Sequence, residues 1–214
     1  REERRLSVAQ ARAARLEAEL LKKHLQPHFL MNTLTSIMEW VETDPPRGAR
    51  AMESLSSELR TLVDISGETL IPMSVELDLC RAHLSVMEFR QGVSVELDVE
   101  GVNGDELIPP AVIHTLIENA LTHNAYGEGA VRFRLAEKKA GRDRRIVLRT
   151  PLAGSPRRSR PEGGGLRYVR TRLEESFPGA WSIQSGAEDG EWWTRIHLSS
   201  QSSGYAARRA ETSA

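Results

Sequence analysis

Three short stretches carry side chains able to do chemistry. The first is LQPHFLMNTLTSI, residues 25 to 37. Its His28 directly follows Pro27 within a long helical pattern, where an interior proline removes a backbone hydrogen bond and costs about 3 kcal/mol. A neutral imidazole nitrogen is a competent nucleophile near neutral pH. A helix loosened at Pro27 can bend and re-aim His28 between two states; the alternative is a packed histidine in a kinked helix. The second stretch, PPAVIHTLIENALTHN, 109 to 124, strings Glu118, Asn119, His123 and Asn124 along an amphipathic helix. They form either a polar binding face or a solvated one that ends in a cap at Asn124. The third, GGGLRYVRTRL, 163 to 173, runs from glycines into a helix. Backbone N–H groups at a helix start attract anions, and glycines allow phosphates to come close.

These stretches sit in a chain that begins helical and turns mixed. Residues 1 to about 42 read as one helix, with Leu6, Ala9, Ala13, Leu16 and Leu20 stepping at heptad spacing. That seam fits a coiled coil or a helix packed on its own domain. TDPPRG, 43 to 48, marks a turn. A second helix follows from about 48 to 66, with Met52, Leu55, Leu59, Leu62 and Val63 on one face, which makes a helical hairpin. A third helix, 74 to 90, is expected to start at Ser74, with Glu76 and Asp78 as first-turn acids. VSVELDVEG alternates as a half-buried strand. After the 109–124 helix come a hairpin around AGR, a loop over 151–165, a helix over 164–177 and two final strands. The β-α-β-β-α-β-β order predicts an α+β fold with helices on one face of the sheet. The domain expectation is residues 1–70 as a helical dimerisation and histidine region, 71–200 as an α+β domain, and 201–214 as a disordered tail.

The bulk numbers exclude several classes. The chain has 214 residues and a formal net charge of −1, so neither nucleic acid nor an anionic membrane is an expected partner. Arg142, Arg144, Arg145, Arg149, Arg157, Arg158 and Arg160 nevertheless crowd one stretch. The single cysteine, Cys80, rules out an internal disulfide and a four-cysteine zinc site, and fits a reducing, cytoplasmic compartment. No run reaches the roughly 18 apolar residues of a membrane span, and no signal-peptide pattern appears. REERRLSVAQ reads as a helix already under way, so a preceding sensor or membrane region is expected.

In order and spacing, the three stretches resemble the LytS-like sensor histidine kinases, a branch of the GHKL ATPase superfamily. The linker IPMSVELDLCRAHLSVMEFRQG is similar as well, so the resemblance covers about residues 20 to 198. It implies a GHKL (Bergerat-type) α/β sandwich behind the helical hairpin, a homodimer, ATP and Mg²⁺ as cofactors, and a response regulator as partner. His28 is then the phosphoacceptor. Asn32, one turn on, positions a hydrolytic water or is a surface amide. Asn119 is the implied Mg²⁺ ligand, Glu118 orients a water or the metal, and His123 and Asn124 touch phosphate. Gly163, Gly164, Gly165 and Leu166 form the phosphate-side turn. The loop before them is the ATP lid, with Arg157, Arg158 and Arg160 in reach of phosphates or solvated.

The chain departs from the family chiefly at Thr150 and Tyr168. Phe29 stands where many other histidine kinases carry an acid, which LytS-like members also lack. Thr150 stands where an Asp or Asn accepts a hydrogen bond from the adenine amino group, and a hydroxyl accepts more weakly than a carboxylate. Tyr168 replaces a common Asn. The sequence therefore supports a kinase that phosphorylates itself on His28, or a degenerate kinase acting as a dimeric partner-binding module.

Overall fold

The computed structural model describes residues 27–123, 126, 129–152 and 164–199. The heptad seam of residues 6 to 20, the lid arginines, Asn124, Gly163 and the tail from 201 lie outside them, as does the run of helix before Pro27.

Two helices open the described chain, α1 (Pro27–Thr43) and α2 (Pro45–Asp64). The predicted six-residue turn shrinks to Asp44 alone. Pro45 and Pro46 enter the first turn of α2, where no intrahelical N–H is needed, and the Asp44 carboxylate accepts from the Arg47 amide at 3.1 Å. So tight a turn forces the helices together: a Cβ on Gly48 would lie 2.7 Å from the Val41 backbone nitrogen. Leu30, Ile37 and Trp40 of α1 pack on Ala51 and Leu55 of α2. The same small cluster takes in Val86 and Phe89 of α3 (Met73–Gln91). Burying a side chain such as Ile37 is worth about 1.5–3 kcal/mol. Arg47 fastens this corner by donating to the Phe89 carbonyl at 2.7 Å and lying over the Trp40 ring.

Helix α3 begins at Met73 and needs no side-chain cap from Ser74. Its first amides, of Met73 and Ser74, bond the carbonyls of Glu106 and Gly104 instead. Two short strands flank this contact, β1 (Ile71–Pro72) and β3 (Leu107–Ile108), paired antiparallel. Neither is apparent in the sequence, since two residues show no periodicity.

The main sheet has the order β2-β4-β5-β7-β6, from β2 (Val95–Glu100), β4 (Val131–Ala140), β5 (Asp143–Pro151), β6 (Trp181–Glu188) and β7 (Glu191–Leu198). Strands β2 and β4 run parallel, and the remaining pairs are antiparallel. Alternation buries Val131, Phe133 and Leu135 on β4 and Ile146 and Leu148 on β5. They meet α3, α4 (Val112–His123) and α5 (Gly164–Ser176) in one core, which also takes in Leu62 and Ile65 from the end of the hairpin. The opposite face carries ion pairs such as Arg132 with Glu96. The arginine crowd divides between the faces: Arg149 is half-exposed near Glu188 and Glu191, while Arg144 is buried.

Candidate functional site

The second and third motifs meet where α4 passes the start of α5. Asn119 is half-buried, and its side-chain amide rests on the backbone of buried Gly165. A Cβ at Gly165 would come within 2.6 Å of Asn119 Cγ and closer still to its amide oxygen and nitrogen. Glycine is therefore required for the amide to reach the first turn of α5, where backbone N–H groups have no intrahelical partner. An amide oxygen is a hard donor of the kind Mg²⁺ takes, so the residues fit that ion as one ligand of a shell completed by others. Glu118 stands beside it, half-buried, and Leu166 packs on the main core. Gly164 opens α5 and His123 closes α4; the side chain of His123 is outside the described residues, as are Asn124 and Gly163.

Thr150 ends β5 on the core side and is buried. Its hydroxyl donates to the Trp192 carbonyl at 3.3 Å, which leaves the oxygen lone pairs as acceptors. Nearby, the Tyr126 hydroxyl donates to the Pro151 carbonyl at 3.0 Å. This ties the chain after α4 to the end of β5. Nothing in the local sequence around Tyr126 signals that tie.

The start of α4 is held from below. Glu76 is a first-turn acid of α3, as expected, and it turns inward and is wholly buried. One carboxylate oxygen accepts from the amides of Ile113 and His114 at 2.7 and 3.0 Å, and the other from Ala111 at 2.7 Å. Burial pushes its pKa up to about 7, against the downward pull of these amides. Ala111 sits at φ 56°, a left-handed conformation unusual for a residue with a Cβ, and the bond to Glu76 holds it there. The Tyr168 hydroxyl donates to the Pro110 carbonyl at 3.1 Å, so the residue standing in for an Asn braces the same corner. Arg172, almost fully buried, donates to the Glu68 carbonyl at 2.7 Å and fixes α5 to the link after α2.

The backbone at His28 lies in the first described turn of α1; its side chain is outside the described residues. Asn32 is exposed one turn later. Helix α1 belongs to the small cluster with Ala51 and Val86, whereas α4 and α5 belong to the main core. The structure thus unites Asn119 with Gly165 but does not bring the His28 helix into the same packing unit.

The described residues build a helical hairpin followed by an α+β sandwich with a five-stranded mixed sheet. Among solved structures, the Erythrobacter litoralis EL346 blue-light activated histidine kinase shares this fold. It has a TM-score of 0.53 at 15% identity, over 94% of this chain and 61% of that one. The family model described as Histidine kinase matches residues 16–95. The chain is 31% identical over 122 residues to Sensor protein LytS of Oceanobacillus iheyensis, covering 50% of this chain and 21% of that protein. It is 29% identical over 109 residues to the Sensor histidine kinase/phosphatase LytS of Staphylococcus aureus, covering 50% and 19%. Over about half of its length the chain is thus similar in sequence to LytS-like sensor histidine kinases, the family its three motifs resemble. The matched part spans about a fifth of the length of those curated relatives.

Proposed function

We propose that the chain is the catalytic core of a two-component sensor histidine kinase that phosphorylates itself on His28. The observation that carries this reading is the contact of Asn119 with Gly165, which joins a metal-capable amide to a helix start suited to phosphate. A nitrogen of His28 attacks the γ-phosphorus of ATP, the bond to the ADP oxygen breaks, and the phosphoryl group passes from nitrogen to an aspartate of a response regulator. Asn119 would hold Mg²⁺, which supplies charge neutralisation on the phosphates. Glu118 would orient a water or the metal, His123, Asn124, Gly163, Gly164, Gly165 and Leu166 would line the phosphate side, and Thr150 would accept from adenine. Asn32 positions the water that removes the phosphoryl group. Residues 1–70 form the dimerising and histidine-bearing region, 71–200 the ATP-binding domain and 201–214 a tail, in a cytoplasmic homodimer that lies downstream of a sensor or membrane region. No helix among the described residues is long and apolar enough to cross a membrane.

The test is labelling with γ-phosphate-labelled ATP and Mg²⁺. The expected product is acid-labile and base-stable, and both His28→Gln and Asn119→Ala abolish it while the fold persists. A second reading, a degenerate kinase acting as a partner-binding module, draws support from Thr150, whose hydroxyl accepts a hydrogen bond more weakly than a carboxylate would. Calorimetric titration with a non-hydrolysable ATP analogue separates the two. Magnesium-dependent binding supports the kinase; no binding at millimolar nucleotide by folded protein supports the module.

A further inference from the structure

Away from the nucleotide motifs, three helices converge on a buried polar cluster. Glu58 of α2, His83 of α3 and His114 of α4 are all buried. Oxygen Oε1 of Glu58 lies 2.8 Å from His83 Nδ1 and 3.3 Å from His114 Nε2, and the two imidazoles meet edge to face with centroids 4.7 Å apart. One ligand atom from each residue falls within 4.8 Å of the other two. Both imidazoles therefore point at a single carboxylate oxygen. The other, Oε2, is buried with no hydrogen-bond partner among the described residues. A purely hydrogen-bonded arrangement would spread its donors over both oxygens, because a buried acceptor left unsatisfied is costly.

We propose that Glu58, His83 and His114 form a binding site for a divalent transition-metal ion, with Zn²⁺ the best fit. Two imidazole nitrogens and one carboxylate oxygen are the donor set that borderline cations of this kind prefer. Donors about 2.0–2.2 Å from a tetrahedral Zn²⁺ stand roughly 3.3 Å apart, near the two imidazole–carboxylate separations of 2.8 and 3.3 Å. Each imidazole would offer its lone pair by holding its one proton on the other ring nitrogen, so binding needs only a tautomer change. The carboxylate could then use Oε2 as well. Three protein ligands leave one position for water. The ion would clamp the hairpin helix α2 to α4, on which His114 stands one turn before Glu118. The site requires no nucleotide and is independent of the kinase reading.

The experiment uses the full chain stripped with chelator and shown to be folded, titrated with Zn²⁺ alone in a calorimeter and with Co²⁺ in the visible spectrum. The expected result is one ion per chain, the intense visible bands of four-coordinate Co²⁺, and a higher midpoint of thermal unfolding. Nitrogen NMR of the wild-type imidazoles should show His83 passing from its Nδ1–H to its Nε2–H tautomer on Zn²⁺ addition, a readout that needs no variant to fold. Glu58→Gln and His83→Gln should each weaken uptake at least tenfold. His24 and His28 stand four residues apart in sequence and offer a second pair of imidazoles, so the double variant His24→Gln/His28→Gln should bind as the wild type does. The proposal is overturned by no stoichiometric uptake from micromolar free Zn²⁺, by an unchanged His83 tautomer, or by uptake that disappears only in the His24/His28 variant.

Discussion

At the scale of single residues, the nucleotide corner rests on what one glycine lacks. Gly165→Ala would place a methyl group where the Asn119 amide now lies, and the amide must swing away because the backbone of α5 cannot. The expected outcome is ATP-analogue binding weakened about tenfold or more, corresponding to 1.4 kcal/mol, with the helical circular dichroism unchanged. Isothermal titration reads the first and circular dichroism the second. Glu76 presents the complementary case, a side chain whose importance lies in its acceptors. A glutamine there keeps one acceptor oxygen but turns an NH₂ group toward the amide of Ala111, a donor facing a donor. Glu76→Gln should therefore lower the urea midpoint by the equivalent of about 1–3 kcal/mol. The loss should centre on α4, seen as faster hydrogen exchange of the Ala111, Ile113 and His114 amides. A midpoint unchanged from wild type would mean that the carboxyl is replaceable as a cap.

At the scale of elements, the β4–β5 hairpin carries a buried ion pair on its core face. Glu137 and Arg144 meet at 2.6 Å, and Arg144 also donates to the Leu107 carbonyl at 2.6 Å, which sews the short β1–β3 ribbon to the sheet. Arg144→Met leaves an uncompensated carboxylate inside the protein and should cost about 3–5 kcal/mol. The double variant Glu137→Leu/Arg144→Met should recover at least half of that, because both charges then leave together. Additive losses in urea unfolding would show that the pair is not coupled. The strand alternation that buries this pair is present in the sequence: Arg144, Ile146, Leu148 and Thr150 share one face. The arginine was nonetheless grouped there with its exposed neighbours, because composition counts charge without regard to facing. Long elements with clean periods, such as β6, β7 and α4, were legible for the same reason. The two-residue strands were not, nor was the inward turn of Glu76, whose partners lie 35 to 38 residues away. The cluster of Glu58 with His83 and His114 spans separations of 25 and 56 residues and has no local pattern at all. Asn119 and the glycines before α5 each stand in a contiguous stretch of the sequence, whereas their contact is visible only in the fold.

At the scale of the whole molecule, α1 shows solvent a second apolar face. Met31, Leu34, Met38 and Val41 are 62%, 37%, 68% and 51% exposed. They step three, four and three residues, the spacing of a coiled-coil seam, while Leu30, Ile37 and Trp40 occupy the inward side. Met52 and Val63 add exposed apolar surface on α2. A contiguous stripe of this kind on a soluble surface marks an interaction site. A second copy of the same hairpin is the partner that would pair seam with seam into a four-helix bundle. Met38→Glu puts a charge at the centre of that seam without touching the packing of α1 on α2, so the fold of one protomer should survive. Light scattering behind size exclusion should give a dimer for the wild type and a monomer for the variant at the same concentration, with dissociation raised at least about a hundredfold, or 2.7 kcal/mol. Unchanged circular dichroism and nucleotide binding in the variant would assign the loss to the interface. A wild type that is monomeric at tens of micromolar would instead mean that the exposed seam is not held by a second hairpin, and the homodimer would have to be given up.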